Sequence, residues 1–272
     1  MLLLYCGGAA QAPALYFDRI TVQNGLSHNK VNCILQDKRG FLWIGTDDGL
    51  NRYDGSHFSI YKNNPGNNGS LSGNIITDLL EDEQQVLWIA TADGGLTKYD
   101  YRLLPAKQFT QFKHQPGNPA SLPVNIINKL LQDEDGYLWL ATSGSYVVRF
   151  NKKTGACSLP VTQGTRTMLA LTNAGAHEMW VGKQGGGLLK INTRTLAFRM
   201  DSRYNNLYAK LPHATVTSLY KDHFNNIWYG SWDSVLYQYN QQQQQELLFQ
   251  KNNQPNSFSN DDILGFAEDT AG

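Results

Sequence analysis

The chain is written in short apolar-polar alternations that end on Gly, Asn or Asp. Residues 31–62 show the pattern most fully: VNCILQD, a turn at KRG, FLWIGT, a turn at DDG, LNRYD, a turn at GS, and HFSIYK. Runs of this length with period-two alternation and turn residues at each reversal predict β-strands, and turns this tight leave only antiparallel neighbours. Residues 31–62 therefore predict a four-stranded antiparallel meander.

The same string returns along the chain. Trp43, Trp88, Trp139, Trp180 and Trp228 stand 45, 51, 41 and 48 residues apart. Six residues before the Trp is Asp37, Asp82, Asp133 and Asp222, with Ala174 in the fourth unit. Nine and twelve before it, all five units are apolar: Ile34, Leu79, Leu130, Leu171 and Leu219, then Val31, Ile76, Ile127, Met168 and Val216. Two after it is Gly or Ala, and ten or eleven after it Tyr53, Tyr99, Phe150, Ile191 or Tyr239, each followed by Asp or Asn. A unit of this size, repeated, means a repeat architecture. One such sheet has two apolar faces and cannot bury both alone. Stacking the sheets radially buries them against one another, so the expected fold is an all-β propeller. On this reading the Trp is a plug between blades, the small residue two later makes room for it, and the Asp-to-Gly turn closes the first hairpin. Residues 263–272, ILGFAEDTAG, repeat the approach to a sixth Trp. The expectation is five blades and the start of a sixth near residue 261, an incomplete ring of a seven-bladed propeller in an N-terminal fragment, with 13–272 as the partial propeller.

Composition changes this picture little. Of 272 residues 41% are apolar, enough to bury a core, and 23 basic residues balance 23 acidic ones. With no run of one sign there is no electrostatic footprint for nucleic acid or an anionic membrane surface. Met1 to Ala12 is a short apolar run ending Ala10-Gln11-Ala12, the small-x-small pattern of a signal-peptidase site, and reads as the remnant of an export signal. Cys33 and Cys157 lie in strand-like runs, and two small buried thiols are expected in preference to a disulfide. Neither lies at ligand spacing from a His, and no metal or other cofactor is expected.

The quoted residues carry a resemblance. NGLSHNKV (24–31), QDKRGFLWIGTDDGLNRYDG (36–55) and the links ending SLSGN (70–74) and ASLPVN (120–125) resemble the two-component regulator propeller repeat, over essentially all of residues 15–272. The fourth unit departs from it, with Ala174, His177 and Lys183 in place of Asp, Gly and Thr, and so does the second, with Gln85 for Gly. The resemblance implies the exported, periplasmic sensor region of a membrane-bound hybrid histidine kinase that responds to an oligosaccharide or similar solute. It also implies a homodimeric full-length receptor, attached to the membrane through parts beyond this chain. The same repeats precede diguanylate cyclase domains in other proteins, so that output stays open. LYFDRIT (15–21) is strand-like and fits a contribution to the ring's last blade.

No catalytic set stands out, and the fragment itself is not expected to be an enzyme. The six His are isolated, there is no G-x-S-x-G elbow, and GKQGGGLLK (182–190) has the look of a strand-to-strand turn. The tract QQQQQ (241–245) reads as a solvated loop or an extended outer hairpin. A secreted lyase or glycosidase would need converging carboxylates, which the sequence does not supply. In a meander blade the second turn and the blade-to-blade link emerge on one side of the disk. That side carries Asp47, Asp48, Asp93, Ser143, Tyr146, Gln184, Trp232 and Asp233, with Asn29, Asn74, Asn125 and His213 in the links. Asp47, Asp48, Asp93, Tyr146, Gln184, Trp232 and Asp233 are the candidate ligand contacts. Trp232 lies outside the Trp repeat, where other units have polar or small residues. It reads either as a sugar-stacking platform beside Asp233 or as the filler of a local gap.

Overall fold

The computed structural model describes residues 18–144, 146–161, 166–185, 187–200, 215–232, 235–250 and 263–268. The export-signal residues, His213 and Asp233 lie outside them. Among the described residues, twenty strands form five four-stranded antiparallel sheets, each a meander in chain order. Blade 1 is β1 (Val31–Gln36), β2 (Leu42–Thr46), β3 (Gly49–Tyr53) and β4 (Phe58–Tyr61). Blade 2 is β5 (Ile76–Glu81), β6 (Leu87–Thr91), β7 (Leu96–Tyr99) and β8 (Phe109–Phe112). Blade 3 is β9 (Ile127–Gln132), β10 (Leu138–Thr142), β11 (Val147–Phe150) and β12 (Cys157–Val161). Blade 4 is β13 (Met168–Gly175), β14 (Glu178–Lys183), β15 (Gly187–Asn192) and β16 (Phe198–Met200). Blade 5 is β17 (Val216–Lys221), β18 (Asn226–Ser231), β19 (Val235–Asn240) and β20 (Gln245–Gln250). The turn in 182–190 and the outer hairpin at the glutamine tract lie where the sequence puts them. Residues 18–20 carry no regular structure, and Thr21 caps a 3₁₀ turn at Val22–Asn24, so the described part of 15–21 is not the expected strand.

Each seam between consecutive blades encloses an apolar cluster, which is the expected burial of sheet on sheet. Trp43, Trp88, Trp139 and Trp180 are fully buried there. Three of the four stack edge-on against an aromatic of the next blade: Trp43 on Tyr99, Trp88 on Phe150 and Trp180 on Tyr239, at 5.3, 5.6 and 6.3 Å between ring centres. The repeated Asp does more than close its hairpin. In blades 1, 2, 3 and 5 the indole Nε1 donates to the Asp carboxylate at 2.7–2.9 Å, while the other carboxylate oxygen takes amides of the turn. A buried indole N–H needs such an acceptor.

The small residue after the Trp has a different cause from the expected one. A Cβ at Gly45 would lie 2.6 Å from Ile76 Cγ2 and 2.5 Å from Cys33 Sγ. At Gly182 it would meet Val216, and at Gly230, Ile263. What is accommodated is the residue that opens the next unit, together with Cys33 of the same blade at Gly45 and Ser218 at Gly230, and not the indole.

Every inner strand also carries a β-bulge at one position, occupied by Asn32, Thr77, Asn128, Leu169 and Thr217. A bulge leaves one residue out of the ladder and re-aims its side chain. Here Asn32, Thr77, Asn128 and Thr217 donate to the carbonyls of Ile76, Ile127, Met168 and Ile263 in the following unit, at 2.6–2.9 Å. Leu169 has no donor to give. Residues 263–268 lie beside β17 through this tie, through Ile263 on Gly230, and through Tyr220 on Glu268, in the place of the next unit's inner strand, although they form no strand themselves. Cys33 and Cys157 are both free thiols, and burial raises the pKa of each, to about 12 for Cys157.

Candidate functional site

The rim that carries the candidate residues is built on a backbone bond repeated in all five blades. The fourth residue after each Trp donates its amide to the carbonyl thirteen before that Trp. Asp47 to Lys30, Ala92 to Ile75, Ser143 to Ile126, Gln184 to Thr167 and Trp232 to Thr215 make this bond at 2.9–3.3 Å. Thr46, Thr91 and Thr142 close the turn above it, each hydroxyl donating to a turn carbonyl at 2.9–3.0 Å, and Ser231 does so at 3.3 Å. The next blade's link is sewn to the same turn, since Gly49 and Gly95 donate to Asn74 and Asn125 carbonyls at 2.8 and 2.9 Å. The second turn and the link therefore do emerge together, as the meander requires.

The candidate side chains differ in how much they are already engaged. Asp47 takes Asn32 Nδ2 and Lys30 Nζ, both at 2.8 Å, and these two partners hold its carboxyl below the usual range. Asp48 pairs with Lys62 at 2.6 Å. Asp93 takes the amides of Asn74 and Ile75 in the link at 3.0 and 3.3 Å. Asn74 and Asn125 are likewise spent on the links, where their Oδ1 atoms accept the amides of Asn63 and His114. Tyr146 is half-buried against the cluster between blades 2 and 3. Gln184 is exposed, and Trp232 is 49% exposed although its backbone is fixed.

Asp47 and Asp48, Asp93, Tyr146, Gln184 and Trp232 thus occupy successive blades, one turn each. Two of those turns are joined by Thr215. Its carbonyl accepts the Trp232 amide at 3.2 Å, and its Oγ1 accepts the Gly185 amide at 2.8 Å, which brings Gln184 and Trp232 to a single seam. Sequence reasoning missed Thr215 and Arg166, whose Nη1 donates to the Gln184 carbonyl at 3.5 Å. Lys183 registered only as a departure from Thr. The repeat itself could have flagged it, since a Lys replaces a buried hydroxyl at a fixed position.

A cleft of about 760 Å³ opens on the opposite rim, between blades 2 and 3. Its Lys152 is mostly spent on Asp82 of blade 2 at 3.1 Å, a tie that fastens one blade to the next, and on Gln132 of its own blade at 3.0 Å. Among the described residues, no three of His, Cys, Asp and Glu group as metal ligands.

Comparison with known proteins agrees with the repeat. The family model for the two component regulator propeller matches residues 25–48, 70–93 and 121–144, three copies of one stretch running from the link to the second turn. Histidine kinase P4 of Formosa agariphila is 48% identical over 62 residues, which is 23% of this chain and 4% of that protein. The extracellular domain of a hybrid two component system of B. thetaiotaomicron, BT3049, superposes with a TM-score of 0.73 at 23% identity, over 91% of this chain and 38% of that one. A streptogramin B lyase superposes with a TM-score of 0.62 at 13% identity, over 82% of this chain and 70% of the lyase, a likeness of fold alone. The chain spans well under half the length of the first two of these proteins. The chain is thus a five-bladed propeller with recurring Asp–Trp pairs, and its first three blades carry matches to the two component regulator propeller repeat.

Proposed function

We propose that this propeller is the extracytoplasmic sensor of a membrane-bound two-component regulator, that it binds an oligosaccharide or similar solute, and that it relays to a cytoplasmic histidine kinase beyond these residues. The observation that carries the reading is Trp232, an indole 49% exposed on a turn whose backbone is fixed. A rigid exposed aromatic offers a flat apolar face to a sugar ring at little entropic cost, and amides and carboxylates nearby supply hydroxyl partners. We give that role to Gln184 at the seam of blades 4 and 5 and to Asp233, which follows Trp232 in sequence, with Tyr146, Asp93, Asp47 and Asp48 further round the rim. Relatives named as a histidine kinase and as extracellular domains of hybrid two component systems support the exported location and the output. The receptor acts as a homodimer, in which ligand binding shifts the packing between protomers.

Calorimetric titration of the chain with an oligosaccharide panel tests this. At least one oligosaccharide should bind, and Trp232→Ala should weaken it about tenfold, roughly 1.4 kcal/mol, with the unfolding midpoint unchanged. A folded chain that binds nothing in the panel, or a Trp232→Ala variant that binds as well as the parent, would reject the reading.

A further inference from the structure

The residue paired across the ladder with the repeated Trp is a cation in four of the five blades. Arg52, Lys98, Arg149 and Lys190 stand opposite Trp43, Trp88, Trp139 and Trp180, and Gln238 stands opposite Trp228. Three of these cations find a partner two residues before the Trp of their own blade. Arg52 lies over the Phe41 ring at 4.7 Å, Arg149 lies over Tyr137 at 3.5 Å, and Lys190 pairs with Glu178. Blade 2 has Val86 at that position, which offers a cation nothing. Lys98 is half-buried and, among the described residues, has neither a hydrogen bond nor an ion pair. Asp100 feels its charge, but that carboxylate is taken by Arg102 Nε and Nη2 at 2.7 and 2.8 Å. Lys98 lines the cleft of about 760 Å³ between blades 2 and 3, and every residue of that lining is described. The other charges of the cleft are engaged or hydrated: Lys152 on Asp82, Gln132 and Gln84, Glu83 on Gln132, Asp135 at 3.7 Å from Arg194, and Lys153 exposed.

We infer that this cleft is a second ligand site, which takes a small hydroxylated monocarboxylate with its carboxylate on the Lys98 ammonium. A partly desolvated cation without a counter-charge is unfavourable, and a charge-assisted hydrogen bond from it to a bound anion offsets that cost. The cleft falls within the range of about 300–1,000 Å³ usual for small-molecule sites. Charge decides against a dianion such as a phosphate: one unmatched cation shares the cleft with Asp82, Glu83 and Asp135, so a second negative charge meets repulsion. The carboxylates of Glu83 and Asp135 are acceptors for hydroxyl groups instead. The site lies on the rim opposite the proposed oligosaccharide contacts and does not depend on them.

The test is titration of the chain, followed through its backbone amide resonances, with three probes on one carbon skeleton: gluconate, neutral sorbitol and sorbitol 6-phosphate. Gluconate should bind about tenfold more tightly than sorbitol and more tightly than sorbitol 6-phosphate, and the resonances that move should include those of Val86 and Lys98. Lys98→Gln should weaken gluconate by roughly the same factor and leave sorbitol unchanged. Val86→Glu, which gives blade 2 the pairing that Glu178 and Lys190 make in blade 4, should quench the ammonium and weaken gluconate as well, with the unfolding midpoint confirming that the variant is folded. Equal affinity for gluconate and sorbitol, tighter binding of the phosphate, a gluconate preference that survives in Lys98→Gln, or shifts confined to blades 4 and 5 would each overturn the inference. So would a folded chain that binds none of the probes. None of these outcomes bears on the oligosaccharide reading, whose Trp232 contact lies on the other rim.

Discussion

At the residue scale, the Asp–Trp pair is the interaction on which each blade depends most. Asp133 accepts the Trp139 indole at 2.7 Å and the Tyr137 amide at 2.9 Å, and it is 5% exposed. Its loss leaves buried donors without an acceptor. Asp133→Ala should therefore cost about 2–3 kcal/mol in denaturant unfolding. The same carboxylates make the fold acid-sensitive. Burial pushes the pKa values of Asp37 and Asp222 up, but hydrogen bonds from Trp43 and Arg39 to the one, and from Trp228 and Asn226 to the other, outweigh it and leave both lowered. A lowered native pKa contributes stability that is fully present above about pH 4, the unfolded value, and drains away as pH falls toward the native one. Stability measured from pH 6 down to pH 2 should decline below about pH 4, and Asp37→Asn should show a shallower decline over the same interval.

At the element scale, much of the blade could be read from the sequence, and what could not be has a definite physical reason. Strands, turns and the burial of four of the five repeated Trp residues follow from alternation and period, because the side chains report them. The inner-strand bulge does not, because Asn, Thr and Leu all occupy it and a bulge is a property of the ladder, not of one residue type. The reason for Gly45 was misjudged for a related cause: its neighbour Ile76 is one blade away, at a distance periodicity cannot give. The candidate rim was half legible. Topology placed it, but the Thr215 bridge that joins Gln184 to Trp232 runs partly through backbone amides, which leave no trace in sequence. The bulge residues also make a testable series. Asn128 donates to Met168 O at 2.6 Å, so Asn128→Leu, the residue class blade 4 has at Leu169, should cost about 1 kcal/mol. Asn128→Thr, as at Thr77, should cost less than half of that by the same measurement.

At the scale of the whole molecule, each inner-strand leucine is buried by the blade before it. Leu79, Leu130, Leu171 and Leu219 are between 3% and 9% exposed, whereas Ile34, at the same position of blade 1, is 64% exposed. The position is the same in sequence and differs only in its neighbour. Leu130→Ala should cost about 2–5 kcal/mol, the usual range for a core leucine, while Ile34→Ala on this chain should change stability by less than about 0.5 kcal/mol. Equal effects at both sites would contradict the radial stacking. Global unfolding, followed by intrinsic fluorescence, is suited to this comparison because four of the indoles report directly on the seams.

The amide held by each second turn gives the architecture an evolutionary latitude. Because Asp47, Ala92, Ser143, Gln184 and Trp232 are anchored through main-chain atoms, each side chain can be exchanged without disturbing its anchor. The disk therefore works as a keyboard of interchangeable keys. A new recognition surface can arise by rewriting letters at one periodic site while the scaffold beneath stays as it is.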